Sequence, residues 1–262
     1  MLTRENYIDS KIEIETELLH FFKRNDTLTI FDIGACEAED SIRYANLFPN
    51  ATVFAFEPRI DNISKAKELI QHYKKATIIL ENIALSNQNG MASFYLSEGE
   101  PDELKNSEHW DFGNKSSSLL PPADEIQKHT AWLRFNKKIE VPTIRLDKYV
   151  EQKNLATIDF AHIDVQGAEL MVLEGAGNFL QKIKTIWMEV EAVELYKSQP
   201  LKDDVEEFMR KNNFVNILNT VNSVAGDQLY VNKNYFSEEQ IMIAKSIKKP
   251  TSFIARIKKI FS

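Results

Sequence analysis

The run Thr29-Ile30-Phe31-Asp32-Ile33-Gly34-Ala35 is apolar, then acidic, then small, and a helix-like stretch over residues 37–47 follows it. A buried parallel strand turning into a helix beneath a nucleotide has this grammar. Gly34 supplies a residue without a side chain where backbone and ligand would meet. The helix N-terminus beyond it offers free N–H groups. One strand later, Thr52-Val53-Phe54-Ala55-Phe56 closes on Glu57-Pro58. Glu57 stands about 20 residues past the glycine, where a doubly wound fold places a carboxylate for two ribose hydroxyls. Pro58 removes a backbone donor and takes the chain out of the sheet.

The turn itself selects the kind of nucleoside. Gly34-Ala35-Cys36-Glu37-Ala38-Glu39-Asp40 has one glycine and three acids. A dinucleotide fold wants G-x-G-x-x-G, so that a pyrophosphate can sit on the helix end. Like charges would repel a phosphate from this turn. A cofactor with an adenosine and a sulfonium but no phosphate, S-adenosylmethionine, suits it better, and a nicotinamide oxidoreductase is disfavoured.

A chain of 262 residues, 43% of them hydrophobic, is one sizeable α/β domain with additions. The net charge of −7 gives no global case for nucleic acid as a partner. A single cysteine excludes an internal disulfide framework and suits a reducing compartment, and no signal peptide is read at the N-terminus, so a cytoplasmic location is expected.

Residues 1–28 read as a helical extension, with an amphipathic helix from Tyr7 to Phe22, and residues 29–232 as the main domain. Residues 61–73 read as a helix and 77–80 as a third strand. Residues 83–96, broken at Asn87-Gln88-Asn89-Gly90, read as a hairpin-like detour. Residues 98–138 differ in kind, holding Pro101, Gly113, Ser116-Ser117-Ser118, Pro121-Pro122 and the aromatics Trp110, Phe112 and Trp132; they read as an insertion that forms either a lid or a packed surface loop. Strands over 157–163 and 185–190 each have a following helix, and 214–218 with 228–231 form a terminal hairpin. The expectation is an α/β fold, a doubly wound and mostly parallel sheet with one antiparallel edge. Residues 233–262 form a C-terminal extension whose last part is basic, with Phe253, Ile254, Ile257, Ile260 and Phe261 on one helical face. Such a helix either touches the inner surface of an anionic membrane or packs on its own domain.

At this point the motifs resemble a family. Phe31-Asp32-Ile33-Gly34-Ala35, Ala55-Phe56-Glu57-Pro58, Asn82-Ile83-Ala84-Leu85-Ser86, Thr143-Ile144-Arg145-Leu146-Asp147 and above all His162-Ile163-Asp164-Val165-Gln166-Gly167-Ala168-Glu169 are similar to FkbM-type S-adenosylmethionine-dependent methyltransferases. The resemblance implies a class I methyltransferase-like, Rossmann-like fold and O-methylation of a sugar, glycan or other small polar metabolite. By position, Asp32, Gly34 and Ala35 would flank the methionine part, Glu57 with Pro58 the ribose, and Asn82 the adenine. Asp164 would lie near the transferred methyl. Ala38 departs from the family, which usually has a second glycine there, and His162 stands where a lysine is common.

Methyl transfer to a hydroxyl needs the acceptor oxygen placed in line and its proton removed. Asp164 and His162 are two apart and share one side of a strand, so His162 would hold or relay a proton with Asp164 orienting it. Ser118 and Glu189 are candidate acceptor contacts. Asp164, Glu189 and Glu191, at the ends of adjacent strands, have oxygens that suit magnesium, although a divalent cation is not expected. The competing reading is a non-catalytic module that keeps the fold as a scaffold, favoured by Ala38. Neither the acceptor nor the oligomeric state is written in the chain.

Overall fold

Thr29–Ile33 (β1) and Thr52–Phe56 (β2) lie side by side in parallel, with Ile33 opposite Phe56. On its other edge β1 pairs in parallel with Ile158–Ile163 (β7), leaving Asp32 beside His162. The computed structural model describes residues 3–100 and 110–247. Ile78–Glu81 (β3) extends the sheet beyond β2, and Ile183–Glu191 (β8) extends it beyond β7. Ala225–Asn232 (β10) runs antiparallel between β8 and Phe214–Asn219 (β9). The order β3-β2-β1-β7-β8-β10-β9 is the expected doubly wound sheet with its antiparallel edge. The order reverses at β1, and ligands of open α/β sheets bind outside the carboxyl ends of the strands at that switch point.

Alternation along β1 builds two cores. Ile30 faces a layer containing Glu15–Phe21 (α2), Glu39–Leu47 (α3) and Ile60–His72 (α4). Phe31 and Ile33 face the opposite layer, containing Leu146–Gln152 (α6), Glu169–Ala176 (α7) and Lys202–Lys211 (α8). Burial on both faces is why the strands read as continuous apolar runs.

The N-terminal region is not one helix. Arg4–Ile8 (α1) and α2 are separated by an irregular stretch. Ile12 and Ile14 are both buried there, and residues two apart share a side only in extended chain. The guanidinium of Arg43 donates to the Lys11 carbonyl at 2.7 Å, supplying a partner that a helix would have taken. At the other end, Glu238–Ser246 (α9) buries Ile241 and Ala244 in the same core as Leu18 and Phe22 of the N-terminal region. The basic, apolar-faced stretch beyond residue 247 lies outside the described residues. Among the described residues no helix is long and apolar enough to cross a membrane.

The stretch 83–96 is not a hairpin. Ala84–Ser86 (β4) and Gly90–Glu98 (β5) are held apart by Arg134–Arg145 (β6), parallel to β4 and antiparallel to β5. The intervening turn wraps round the end of β6: the Arg145 N–H donates to Asn89 Oδ1 and its guanidinium to the Asn87 carbonyl. This second, three-stranded sheet carries residues 114–119 of the insertion over the carboxyl ends of β1 and β2, while Ile126–His129 (α5) packs its Ile126 against Leu133 and Tyr196.

Candidate active site

The tips of β1 and β7 touch through backbone. An ideal Cβ on Gly34 would lie 1.8 Å from the Asp164 carbonyl oxygen, and the Asp164 N–H donates to the Ile33 carbonyl at 2.9 Å. The space that Gly34 leaves is therefore filled by the neighbouring strand end rather than reserved for a ligand. Beyond it the chain coils tightly, with positive φ at Gly34 (89°), Cys36 (49°) and Ala38 (67°). Ala38 thus keeps the left-handed turn that a glycine would take, and α3 starts directly after it.

Glu57 occupies that coil. Its Oε2 accepts from the Cys36 N–H at 3.0 Å and its Oε1 from the Arg59 N–H at 2.6 Å. Each oxygen keeps acceptor capacity, which is what a pair of adjacent hydroxyls needs. Burial outweighs these amide bonds and pushes the carboxyl up to about 7.

A cavity of about 40 Å³ lies between these tips, lined by Gly34, Glu57, Pro58, Leu85, Phe94 and Asp164, with Asn114, Lys115, Ser117 and Leu119 of the insertion closing it. A liquid water takes about 30 Å³, so a nucleoside enters only when that wall moves outward. The donor set fits one nonetheless: a carboxylate with spare acceptors, a prolyl turn, and Leu85 and Phe94 as an apolar wall.

The three acids of the turn serve the wall instead of the cavity. Glu37 is fully buried and paired with Arg4, with Lys65 at 2.9 Å and with the Asn114 amide at 2.8 Å. Glu39 accepts from Trp110 Nε1 at 2.7 Å, with Lys115 at 3.5 Å. Asp40 accepts from the Tyr7 hydroxyl at 2.9 Å and pairs with Arg43 at 2.7 Å. The start of α3 is a clasp joining the N-terminal arm to the insertion.

Several expected contacts lie elsewhere. Asp32 is buried off the cavity, bonded to the Ser41 hydroxyl and 3.3 Å from His162 Nδ1. His162 is accordingly oriented by Asp32 and not by Asp164. Burial alone would strip the imidazole of its proton, but the Asp32 bond and charge, with Asp40 and Asp164 behind them, raise it to about 9. Asn82 donates to the carbonyls of Glu57 and Pro58 at 3.0 Å, and Ala35 donates its N–H to the Phe56 carbonyl; both shape the turn from outside the cavity lining. Ser118 is buried, with its hydroxyl on the Gln166 carbonyl at 2.7 Å.

Past Asp164 the strand ends gather buried acids. Asp164, Glu189 and Glu191 are all pushed up, by burial first; the charge of Asp164 adds to this at Glu189 and, after that of Glu169, at Glu191, while the Gln166 amide and the His162 charge oppose it at Asp164. Glu169 caps the turn, accepting from the N–H groups of Val165 (3.0 Å) and Gly167 (3.2 Å). Among the described residues no group of three or more acid, histidine or cysteine side chains is placed to hold a metal ion. Sequence reasoning missed Asn114, Lys115, Gln166 and Tyr196; the first two sit in an insertion without periodicity, and Tyr196 lies 30 residues from the Gln166 it touches.

Residues 32–215 match the model of the methyltransferase FkbM domain. A 2-O-methyltransferase, NoeI of Sinorhizobium fredii (strain NBRC 101917 / NGR234), is 30% identical over 194 residues, 74% of this chain and 75% of that protein. Solved structures align at lower similarity. A putative methyltransferase from Streptococcus mutans in complex with SAH aligns at 13% identity and a TM-score of 0.45, over 88% of this chain and 99% of that one. An rRNA methylase from Streptococcus thermophilus aligns at 14% and 0.45, over 83% and 93%. The doubly wound sheet with a crevice at its β1 switch point is a class I methyltransferase-like fold. The chain belongs to the FkbM family of S-adenosylmethionine-dependent methyltransferases.

Proposed function

We propose that the chain transfers a methyl group to a hydroxyl oxygen of a sugar, a glycan or another small polyhydroxyl acceptor. One observation carries the reading: Asp164 lines the Glu57 crevice, and its carboxylate shares the Gln166 amide with the buried Glu189 of β8. A relative that methylates a 2-hydroxyl supports the oxygen acceptor.

Bound S-adenosylmethionine supplies an electrophilic methyl on a sulfonium. Glu57 would accept from the ribose hydroxyls with the Pro58 turn beside it, and Leu85 and Phe94 would supply the apolar wall for the adenine. Asp164 takes the acceptor's hydroxyl proton as its oxygen attacks. A raised carboxyl is a stronger base than an exposed one, which suits a weakly acidic alcohol. His162, already protonated at neutral pH, is not the base; its charge offsets Asp32. Asn114–Leu119 close over the site and exclude water.

The experiment is methyl transfer from labelled S-adenosylmethionine to a panel of mono- and disaccharides by the wild type and Asp164→Asn. Label in the sugar fraction, lost in the variant while the cofactor still binds, is the expected result. Transfer by Asp164→Asn at the wild-type rate removes Asp164 from its role.

A further inference from the structure

Gln166 makes a connection that the reaction above does not use. It follows β7 in a left-handed conformation (φ 58°) that costs a non-glycine residue energy. Its amide nitrogen donates to Asp164 Oδ1 at 2.7 Å and also to Glu189 Oε2. The amide orientation is dictated by these partners, because two carboxylates call for the NH₂ end and the Tyr196 hydroxyl, 2.8 Å from Oε1, supplies a hydrogen to the other. Tyr196 is almost fully buried, and its single hydroxyl hydrogen is shared between that amide oxygen and the Ser116 carbonyl of the insertion, also 2.8 Å away. The Gln166 carbonyl in turn accepts from Ser118. One side chain and its backbone thus join two acids at the strand tips to the wall that closes the crevice.

We propose that Gln166 is the positioning residue for the base: its amide fixes the Asp164 and Glu189 carboxyls relative to each other, and Tyr196 with Ser116 and Ser118 makes that setting depend on closure of the insertion. This rests on the reading of Asp164 as the base. Two carboxyls brought this close repel unless a donor or a shared proton stands between them. The two hydrogens of one amide supply donors to both and fix the direction in which Asp164 presents its free oxygen. Held there only when Ser116 and Ser118 are docked, the base would be set as the crevice closes, so that proton removal and water exclusion coincide.

The test uses the full chain and has an arm that does not need turnover. In side-chain amide NMR, the Gln166 NH₂ pair should exchange slowly with solvent, shift on Asp164→Asn, and lose protection in Tyr196→Phe. The kinetic arm is Gln166→Glu, which keeps length and turn but donates only when its new carboxyl is protonated. With S-adenosylmethionine and the saccharide that the wild type methylates, kcat should fall about tenfold or more, KM for the cofactor should stay within about threefold, and the deficit in kcat relative to the wild type at the same pH should shrink in part as pH is lowered, protonation of Asp164 being common to both proteins. A purely structural role would not give recovery on acidification. If Gln166→Glu does not fold, Tyr196→Phe takes its place, with a smaller kcat loss expected at unchanged cofactor KM. A freely exchanging Gln166 amide, or a kcat equal to wild type across the pH range, overturns the proposal. A protected amide in a chain that methylates no saccharide sinks the functional reading and leaves the clamp standing.

Discussion

The α-carbon of Gly34 faces the carbonyl oxygen of Asp164 so closely that a methyl group there would stand 1.8 Å from it. The two strand tips flanking the site are therefore joined backbone to backbone. Gly34→Ala must push β1 and β7 apart and also hold a φ of 89° that L side chains rarely adopt. We expect a loss of more than about 4 kcal/mol of stability, read by urea denaturation, with cofactor binding lost alongside.

Ala38 gives the opposite prediction. Its φ of 67° is left-handed, and its position begins α3. A residue with Cβ there costs roughly 1–2 kcal/mol that glycine avoids. Ala38→Gly should raise the thermal midpoint, less a few tenths of a kcal/mol for the freer unfolded chain. Cofactor affinity should hold, because the turn is already left-handed with alanine in place.

His162 should make stability depend on alkaline pH. Its folded value, about 9, exceeds the ordinary value of 6.5. The imidazolium–Asp32 contribution is then fully present below the unfolded value and lost as pH rises through about 9. It is worth on the order of 2–3 kcal/mol. Urea midpoints of the wild type and His162→Gln, compared near pH 6 and near pH 10, should converge at the higher pH. A constant gap would place the effect in packing against Tyr44 rather than in charge.

Glu57 predicts proton release on cofactor binding. Its carboxyl sits at about 7 in the free protein, and two ribose hydroxyls favour the charged form. Titration with S-adenosylhomocysteine near neutral pH should show a heat that varies with the ionisation enthalpy of the buffer. The dependence should vanish about two pH units higher, where the group is already ionised.

Much of this was legible in the sequence, and the limits are physical. The β1 and β2 runs could be read because strands buried on both faces are continuously apolar, and Glu57 because a fixed strand length puts it beside the glycine turn. From sequence alone, the acids of the turn stand where the cofactor would lie. Their true partners, Arg4, Trp110 and Lys115, come from segments whose approach no local pattern encodes. The Asp32–His162 pair escaped because pairing of β1 with β7 spans 130 residues. The split at residues 9–14 escaped because Ile12 and Ile14 also fit a loose helical stripe.

The insertion wall yields one more expectation. Asn114 ties Glu37 to Asn62 at 2.8 and 2.9 Å while lining a cavity too small for a nucleoside. Asn114→Ala should loosen the wall, raising both association and dissociation rates for S-adenosylhomocysteine in stopped-flow measurements. Unchanged rates would mean that opening occurs elsewhere.

The account depends most on Glu57 as the nucleoside's anchor, and calorimetric titration of S-adenosylhomocysteine into the wild type, Glu57→Gln and Asp164→Asn tests it most directly. Loss of hydrogen bonds to a charged group should weaken Glu57→Gln by roughly 10- to 100-fold, while Asp164→Asn binds nearly as the wild type does. Equal affinity in Glu57→Gln, with the variant folded, would contradict the account.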